Sequence, residues 1–446
     1  MKNKLGMIEK IAFSDTFYLR LRESLAGLKF LVKMKGFQKL TLTQHALKKW
    51  FGILQIVKPS AEEIPLEEAL NRVLVQDIIA NENLPRFDRS AVDGYAVSAE
   101  ATIGASQFKP TIFELTESNV VGASQAKQVW TGNPIPKGAD AAVMIENTKK
   151  KDGEIEVWVQ MAPGDNVSKR GEDVRKGEVV AKSGRRLNPF FLGLVAALGK
   201  NQVAVAKKPR VAILATGNEL AKVGSTPKTN QIFESNGVML SAMCSELGAE
   251  PVDLGTVRDD LDQIMEALKS GLTRTDAVIT TGGTSVGGLD LVPDAVNKIG
   301  TPGIVVHGVA MRPGMPTALA VLEGKPVMVL SGNPVAAVVG FEVFARPLIC
   351  KMLGMIREEH RLTLRAKMIR NVSTALGRKT FVRVKTFEKD GNVFAEPVST
   401  RGSGAISTMT RGNGFLVVPE DREGVAEGEI VAVRLFGGLE EESKSV

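Results

Sequence analysis

The stretch VITTGGTSVGGLD, residues 278–290, decides the fold of the segment around it. Its first residues are apolar or β-branched and predict a buried strand, and the glycines that follow predict a turn whose backbone can approach a ligand closely. No Gly-Lys-Ser/Thr follows the run, so the loop is not a Walker A motif, and its spacing does not match Gly-x-Gly-x-x-Gly. We interpret it as an anion-binding loop of another kind, closed by Asp290.

The same pattern of strand followed by glycine recurs on both sides of this loop. Further strand-like runs are RVAILAT (210–216), PVDLGTV (251–257), GIVVHGVAM (303–311) and PVMVLSG (326–332). Helix-like segments separate most of them, which predicts a doubly wound, mostly parallel sheet covered by helices on both faces. Ligands of such sheets bind beyond the carboxyl ends of the strands, where these loops lie.

Two of the helices can be placed in detail. We expect residues 235–250 to form a helix capped by Ser235 or Asn236, with Met239, Met243 and Leu247 on its packing face. We expect the next helix, which begins at residue 261, to close at Gly271, because glycine is common just after the last helical turn.

The strand ends carry the charged residues of the candidate site. Glu219, Asp259 and Asp290 are candidate ligands of a metal ion or of water, and Arg312 is a candidate anion contact. Carboxylates beside an anion-binding turn are explained if Mg²⁺ bridges them to phosphate oxygens. Simpler alternatives stay open: Asp259 or Asp260 caps the helix from residue 261, Asp290 caps a turn, Glu219 is a solvated loop residue, and Arg312 pairs with a surface carboxylate.

A second group of motifs lies in a β-rich half of the chain, about residues 80–207. It contains LPRFDRSAVDGYAV (84–97) and TGNPIPKGADAAVM (131–144). Asp93 and Gly94 between apolar runs are also what a simple hairpin turn looks like. Residues after about 358 are β-like again and predict a small C-terminal β domain.

Composition excludes several classes of protein. Hydrophobic residues make up 43% of the 446 and aromatic ones only 5%, which argues against a base-stacking nucleic-acid binder. Cys244 and Cys350 lie far apart in apolar surroundings, which is typical of reduced core thiols and a cytoplasmic protein. With three histidines and two cysteines, a zinc site is not expected, and the longest apolar runs are too short for a transmembrane helix. We interpret residues 1–35 as an N-terminal extension, disordered or due to a misplaced start.

Seven motifs in order resemble the MoeA family, the molybdopterin molybdenumtransferases similar to the gephyrin E domain. They are FDRSAVDGYAV, TGNPIPKGADAAVM, RGEDV, ATGNEL, TTGGTSVGGLD, RPGMPT and LSGNPVAA, spread from about Gly36 to Leu435. The resemblance implies a linker and β subdomain (36–79 with 174–207) whose N-terminal helix packs on the α/β domain, and a β-rich subdomain (80–173). It also implies an α/β molybdopterin-binding domain (208–357) and a C-terminal β domain (358–446).

The resemblance also implies an activity. Such a protein takes adenylylated molybdopterin and molybdate, cleaves the adenylate with the help of Mg²⁺, releases AMP and inserts the metal. It implies a homodimer with its cleft between the α/β domain of one subunit and the DGYAV subdomain of the other. A molybdopterin adenylyltransferase is an expected partner, and neither nucleic acid nor a membrane is.

Site residues carry over by motif. Asp93, Glu219, Asp259 and Asp290 are the expected catalytic residues, the last three also holding the metal. The expected substrate-binding residues are Thr131, Gly282, Gly283, Ser285, Gly287, Arg312, Pro313, Ser331, Asn333, Arg383 and Ser403. Asp173 of RGED is expected to be partly structural.

One position departs from the family. Where the family usually shows PGKP, this chain has Met315 in RPGMP, and methionine cannot bind an oxyanion electrostatically. The anion is then held by Arg312 alone, or the oxyanion differs, tungstate being an option. Alternatives to metal insertion are a molybdopterin adenylyltransferase, whose small relatives lack the DGYAV half, and a dimeric scaffold without activity.

Overall fold

The computed structural model describes residues 40–56, 58–283, 291–356, 361–399 and 402–441. They divide into two compact units. The first comprises the described parts of Met1–Lys58, Lys208–Leu353 and Arg357–Val446, and the second those of Pro59–Lys207 and Gly354–Ile356. The first helix, α1 (Thr43–Ile53), belongs to the first unit.

The second unit is built from short strands with helix α2 (Pro189–Ala197) and single turns of 3₁₀ helix at Leu66–Glu68, Glu100–Thr102 and Ile145–Asn147. Its strands are β1 (Ala61–Pro65), β2 (Ile78–Ile79), β3 (Arg89–Ser90), β4 (Gly94–Val97), β5 (Thr111–Leu115), β6 (Gln125–Val129), β7 (Ala141–Met144), β8 (Thr148–Lys151), β9 (Glu154–Val157), β10 (Val167–Ser168), β11 (Val179–Ala181) and β12 (Gln202–Ala206). Six of them form one sheet in the order β7-β4-β6-β5-β9-β8, and β1 pairs with β12, β2 with β11 and β3 with β10.

Asp93 and Gly94 are not the hairpin turn that their sequence allows. Gly94 begins β4, which pairs antiparallel with β6 and β7. A Cβ atom on Gly94 would lie 1.8 Å from the carbonyl oxygen of Val143, so glycine is required here by the neighbouring strand. The carboxylate of Asp93 is therefore presented at a fixed strand start.

The α/β part of the first unit contains one six-stranded mixed sheet. Its elements are β13 (Arg210–Thr216), β14 (Leu220–Ala221), β15 (Ile232–Phe233), α3 (Asn236–Glu246), β16 (Glu250–Val257), α4 (Leu261–Arg274), β17 (Ala277–Thr281), α5 (Leu291–Ile299), β18 (Pro302–His307), β19 (Met311–Arg312), β20 (Ala318–Leu322), β21 (Lys325–Leu330), α6 (Pro334–Gly340), a π-helical segment (Phe341–Ala345) and α7 (Arg346–Met352). The strand order is β16-β13-β17-β21-β20-β18, with the first four strands parallel and β20 antiparallel to both neighbours.

Strand β20 is the element that the sequence analysis did not assign, because it lies between the predicted strands 303–311 and 326–332. Glu323 and Gly324 connect it to β21, and both adopt positive φ, at 50° and 76°. This makes a tight hairpin and turns the edge of the sheet antiparallel. Helix α1 lies against β18 and β20, and the indole Nε1 of Trp50 donates to the carbonyl of Ala320 at 2.8 Å.

Both faces of the parallel strands are buried, as the continuous apolar runs predict. One core joins Ala212, Leu214 and Val278 of the sheet to side chains of α4 and α5, including Ile264 and Val296. Helix α3 lies against β13 and β16. The loops that follow the parallel strands meet at the carboxyl ends of these strands.

Two helix predictions were wrong in detail. The buried face of α3 is formed by Leu240 and Cys244, with Leu247 just after the helix, while Met239 and Met243 are only half-buried. Helix α4 does not close at Gly271 but continues to Arg274. Gly271 is buried, and a Cβ atom on it would lie 2.8 Å from Cδ1 of Leu254, so this glycine serves close packing on the sheet.

The C-terminal part of the first unit is a β domain. Its elements are β22 (Thr363–Met368), β23 (Val372–Ser373), β24 (Lys379–Lys389), β25 (Asn392–Ser399), α8 (Ser407–Arg411), β26 (Gly414–Val418), β27 (Gly424–Val425), β28 (Ile430–Leu435) and β29 (Glu440–Glu441). Strands β24, β25, β22, β28 and β26 pair in turn, and β26 returns to β24, which closes a five-stranded ring around an apolar core.

This domain joins the α/β part through main-chain pairing. Strand β19 runs parallel to the start of β24, with Met311 opposite Lys379 and Arg312 opposite Thr380. The amide of Lys379 donates to the carbonyl of Ala310 at 3.0 Å. None of the helices in the described parts of the chain is long and apolar enough to cross a membrane.

Candidate functional site

The ends of the parallel strands are fastened together by one asparagine. Nδ2 of Asn236 donates to Oγ1 of Thr281 at 2.9 Å and to the carbonyl of Gly332 at 2.7 Å, which ties the end of β17 to the end of β21. The helix cap is Ser235, without a side-chain hydrogen bond. The sequence allowed Asn236 as a cap, but its buried side chain instead sets the floor of the site.

A cleft of about 920 Å³ opens above these strand ends. Its charged lining residues within the described parts of the chain are Glu219, Glu234 and Asp259, with no lysine or arginine among them. The remaining lining residues are Thr216, Gly217, Asn218, Leu220, Ile232, Phe233, Ser235, Asn236, Thr281, Gly282, Gly283, Leu291, Ser331, Gly332, Asn333, Pro334, Gly404 and Ile406. We call this region the acidic cleft.

Asp259 and Asp260 have separate tasks. The carboxylate of Asp260 accepts from the amide of Gln263 at 2.9 Å and caps α4. Asp259 faces the cleft instead, where its Oδ2 accepts from the amide of Asn218 and its own amide donates to Oδ1 of Asn218, both at 3.3 Å. The capping alternative therefore applies to Asp260 alone.

Glu219 lies beside Gly217 in the loop after β13. A Cβ atom on Gly217 would meet the carboxylate of Glu219 at 2.7 Å, so the glycine leaves room for the acid to fold back. Among the described residues, no three acid, histidine or cysteine side chains converge into a preformed metal site. Ser285, Gly287 and Asp290 lie outside the described residues.

Gly282 and Gly283 form a turn that no other residue fits. Their φ angles are 94° and 63°. A Cβ atom on Gly282 would lie 2.2 Å from the carbonyl oxygen of Thr216, and one on Gly283 would lie 2.5 Å from Cγ2 of Val292. The turn is therefore pressed against β13 and α5 and lines the acidic cleft at a fixed position.

A second cavity of about 360 Å³ lies between the loop after β18 and the start of β24. Among the residues that the structure describes, its charged lining residues are Arg312, Arg378 and Arg383, and none is a carboxylate. The other lining residues are Met311, Pro313, Gly314, Met315, Pro316, Ser331, Asn333, Ala336, Ser373, Thr374, Thr380, Phe381, Val382, Gly402 and Ser403. We call it the arginine cavity; it shares Ser331 and Asn333 with the acidic cleft.

The arginines affect one another. Arg383 is 3% exposed; burial lowers its pKa, and the positive charge of Arg312 lowers this pKa further. The Nε atom of Arg383 donates to Oγ1 of Thr408 at 3.3 Å, and one Nη to the carbonyl of Gly402 at 3.2 Å. Like charges held together without an acid make a site that an anion stabilises.

The structure thus brings most of the expected residues of the first unit to these two pockets. Glu219, Asp259, Gly282 and Gly283 line the acidic cleft, and Arg312, Pro313, Arg383 and Ser403 line the arginine cavity, with Ser331 and Asn333 in both. Sequence reasoning missed Glu234, Asn236 and Arg378 as lining residues. Glu234 and Asn236 lie in the FESN run that leads into α3, which the sequence analysis interprets only as a helix start, and Arg378 directly precedes β24 in GRKTFVRV.

The second unit brings its two expected residues together. Oδ1 of Asp93 accepts from the amide of Thr131 at 2.8 Å and from its hydroxyl at 2.7 Å. The backbone bond from Thr131, and next to it the hydroxyl bond, lower the pKa of Asp93 although the carboxyl is fully exposed. In the RGED motif it is the carboxylate of Glu172 that makes the side-chain hydrogen bonds. It accepts from the amide of Lys169 at 2.8 Å and from the hydroxyl of Ser168.

The chain matches three family models in order. Residues 41–199 match the MoeA N-terminal region (domain I and II), residues 212–351 a probable molybdopterin binding domain, and residues 365–436 the MoeA C-terminal region (domain IV). It is 37% identical over 383 residues, 84% of this chain and 92% of the relative, to a putative molybdopterin biosynthesis protein of Methanocaldococcus jannaschii.

Two further comparisons agree. A molybdopterin molybdenumtransferase of Bacillus subtilis is 36% identical over 387 residues, 84% of this chain and 90% of that protein. The solved structure of a MoeA protein of molybdopterin biosynthesis from Pyrococcus horikoshii superposes with a TM-score of 0.75 at 33% identity, and the match covers 90% of this chain and 100% of that one. The architecture of a molybdopterin-binding domain with mixed sheets and a C-terminal β domain is thus confirmed, and the chain belongs to the MoeA family.

Proposed function

We propose that this chain is a molybdopterin molybdenumtransferase, which takes adenylylated molybdopterin and molybdate, releases AMP and inserts molybdenum at the dithiolene. The observation that carries the proposal is the pair of adjoining pockets of opposite charge, which share Ser331 and Asn333. A substrate with a phosphoanhydride and an oxyanion co-substrate need both a metal-binding and an anion-binding side.

The residues of the acidic cleft fit Mg²⁺. Glu219 and Asp259 offer exposed carboxylate oxygens in one cleft, where no described lining residue is cationic, and hard oxygen ligands are what Mg²⁺ prefers. Asp290 would be the third carboxylate. When bound there, Mg²⁺ would neutralise phosphate charge and polarise the anhydride.

The chain's own residues position the substrate. The Gly282–Gly283 turn gives the phosphates a backbone surface without side chains, and Asn236 keeps the two strand ends at a fixed separation. In the arginine cavity, Arg312, Arg383 and Ser403 would hold the oxyanion, as charge-assisted hydrogen bonds are stronger than neutral ones. Ser285 and Gly287 belong to the same proposed cradle.

The proposal also includes a homodimer, with Asp93 and Thr131 of one subunit completing the pockets of the other. Mixing inactive Asp93→Ala and Asp259→Ala proteins tests this arrangement. Random exchange of subunits would restore about a quarter of wild-type activity, because half of the dimers then hold one intact site. No recovery after demonstrated subunit exchange would place both residues in a site within one subunit.

The experiment that tests the function is AMP release from adenylylated molybdopterin in the presence of Mg²⁺, with and without molybdate or tungstate. We expect release that depends on the oxyanion, and the preferred oxyanion distinguishes molybdenum from tungsten. ATP-dependent adenylylation of free molybdopterin without such release would replace the proposal by an adenylyltransferase. A folded dimer with neither activity would favour a scaffold.

A further inference from the structure

The arginine cavity contains a cation that the motifs did not single out. Arg378 is half-buried at the start of β24 and lines the cavity with Arg312 and Arg383. Its backbone is fixed on both sides, since the amide of Gly377 donates to Glu420 at 2.7 Å and that of Lys379 to Ala310 at 3.0 Å. The main chain at Arg378 is thus held beside the cavity by the fold.

The next residue, Lys379, is a cation that already has polar partners within the protein. Nζ of Lys379 donates to Oγ1 of Thr43 at 3.0 Å and lies 3.8 Å from a carboxylate oxygen of Glu420. The side chain of Arg378 has no hydrogen bond or ion pair with any described residue. A half-buried guanidinium that has no partner among the described residues, in a cavity whose described lining includes no carboxylate, favours an anionic ligand.

The other two arginines are less suited to dominate affinity. Arg312 is exposed, so solvent and salt screen its charge. Arg383 already donates from Nε to Thr408 and from one Nη to Gly402. Arg378 keeps its full planar set of donors, which matches two oxygens of a tetrahedral anion.

We infer that Arg378 is a specificity-determining ligand of the free tetrahedral oxyanion, bound in the arginine cavity; this rests on the function proposed above. The cavity measures about 360 Å³ and the acidic cleft about 920 Å³, so the small oxyanion suits the former and the nucleotide-bearing substrate the latter. Molybdate, tungstate and a substrate phosphate share the tetrahedral chemistry, and the experiment separates them.

The test is calorimetric titration of the full-length protein with molybdate, with tungstate and, separately, with AMP. Arg378→Ala is expected to weaken oxyanion binding by about 10- to 100-fold, the loss of one charged hydrogen-bonding group. Arg378→Lys keeps the charge but loses the planar set of donors, so its oxyanion affinity should lie between those of the wild type and Arg378→Ala. AMP affinity should change less than about twofold, because AMP occupies the acidic cleft.

Two further variants keep the test sharp. Arg365→Ala removes an equal charge from an exposed position on β22 and should leave oxyanion affinity unchanged. Met315 lines the same cavity, so adding Met315→Lys to Arg378→Ala should restore part of the lost affinity. Thermal unfolding of each variant shows that it is folded.

Three results would overturn the inference. A folded Arg378→Ala protein with wild-type oxyanion affinity would remove Arg378 from the site. Equal losses for AMP and molybdate would assign Arg378 to the substrate phosphate. If the wild-type protein binds neither an oxyanion nor AMP, the proposed function is overturned as well. If the wild-type protein binds them and Arg378→Ala does not change the oxyanion affinity, only this inference is overturned.

Discussion

The acidic cleft and the arginine cavity adjoin at the end of one strand, yet their charged residues have opposite signs. Of the residues that the structure describes, Glu219, Glu234 and Asp259 line the cleft with no cation, whereas three arginines and no acid line the cavity. If the charges were mixed, they would pair with one another and leave little for a ligand. Because they are segregated on either side of Ser331 and Asn333, the two pockets present opposite charges to a ligand.

The largest effect on stability is expected at the glycine turn that lines the acidic cleft. Gly282→Ala forces an alanine into φ 94° and brings its Cβ to 2.2 Å from the carbonyl of Thr216, so we expect a loss of about 2–5 kcal/mol in stability. Gly324→Ala is the matched control: it has φ 76° but nothing within 4 Å, and should cost only about 1–2 kcal/mol. Calorimetric Tm values compare the two variants. Equal decreases in Tm would mean that the strand ends can move to accommodate the added Cβ atom.

Asp259→Ala removes one carboxylate from the acidic cleft. We expect turnover to fall by on the order of 10²-fold while the protein stays folded, and the same for Asp290→Ala. AMP release at saturating Mg²⁺ measures it.

The neighbouring Asp260→Ala is the control for Asp259→Ala. It removes the cap of α4 and should cost about 1 kcal/mol in stability with little change in turnover. If both substitutions lowered turnover alike, the cleft would depend on the helix and not on the carboxylate of Asp259.

Met315→Lys would sharpen the basic side. A fourth cation in the arginine cavity is expected to lower the half-saturating molybdate concentration by about 3- to 30-fold, within the range of one charged hydrogen bond weakened by solvent. Oxyanion-dependent AMP release provides the measurement. Unchanged half-saturation would show that position 315 does not contact the anion, and Met315→Leu controls for the change in shape.

The smallest effect concerns the second unit. Thr131→Val removes the hydroxyl bond to Asp93 and keeps the amide bond, so the pKa of Asp93 should rise toward its ordinary value. The lowered pKa favours the folded state above the carboxyl's unfolded pKa, and this contribution is lost as pH falls through the folded pKa. A ¹³C NMR titration measures the shift. Thr131→Ser should retain the low value, and an identical titration of the Val variant would contradict the role of the hydroxyl.

The sequence predicted the strands that carry the site because their apolar runs are continuous and end in glycine. It did not assign β20, whose hairpin connection to β21 depends on two positive φ angles at Glu323 and Gly324. It left Asp259 and Asp260 as equal candidates for the cap, because only the geometry of α4 distinguishes them. Asn236 was missed as a site residue because its role depends on hydrogen bonds to Thr281 and Gly332, which are far away in the chain. Arg378 was missed because only the fold places it in the same cavity as Arg312.

The pairing of β19 with β24 has a mechanical consequence. The two walls of the arginine cavity belong to different parts of the chain, but main-chain hydrogen bonds join them, with Arg312 opposite Thr380. A hinge between the α/β part and the C-terminal β domain could not widen the cavity without breaking these bonds. The width of the cavity would then be fixed, and the cavity would select its ligand by size. The backbone amide of Lys379 should exchange its hydrogen slowly whether or not an anion is present.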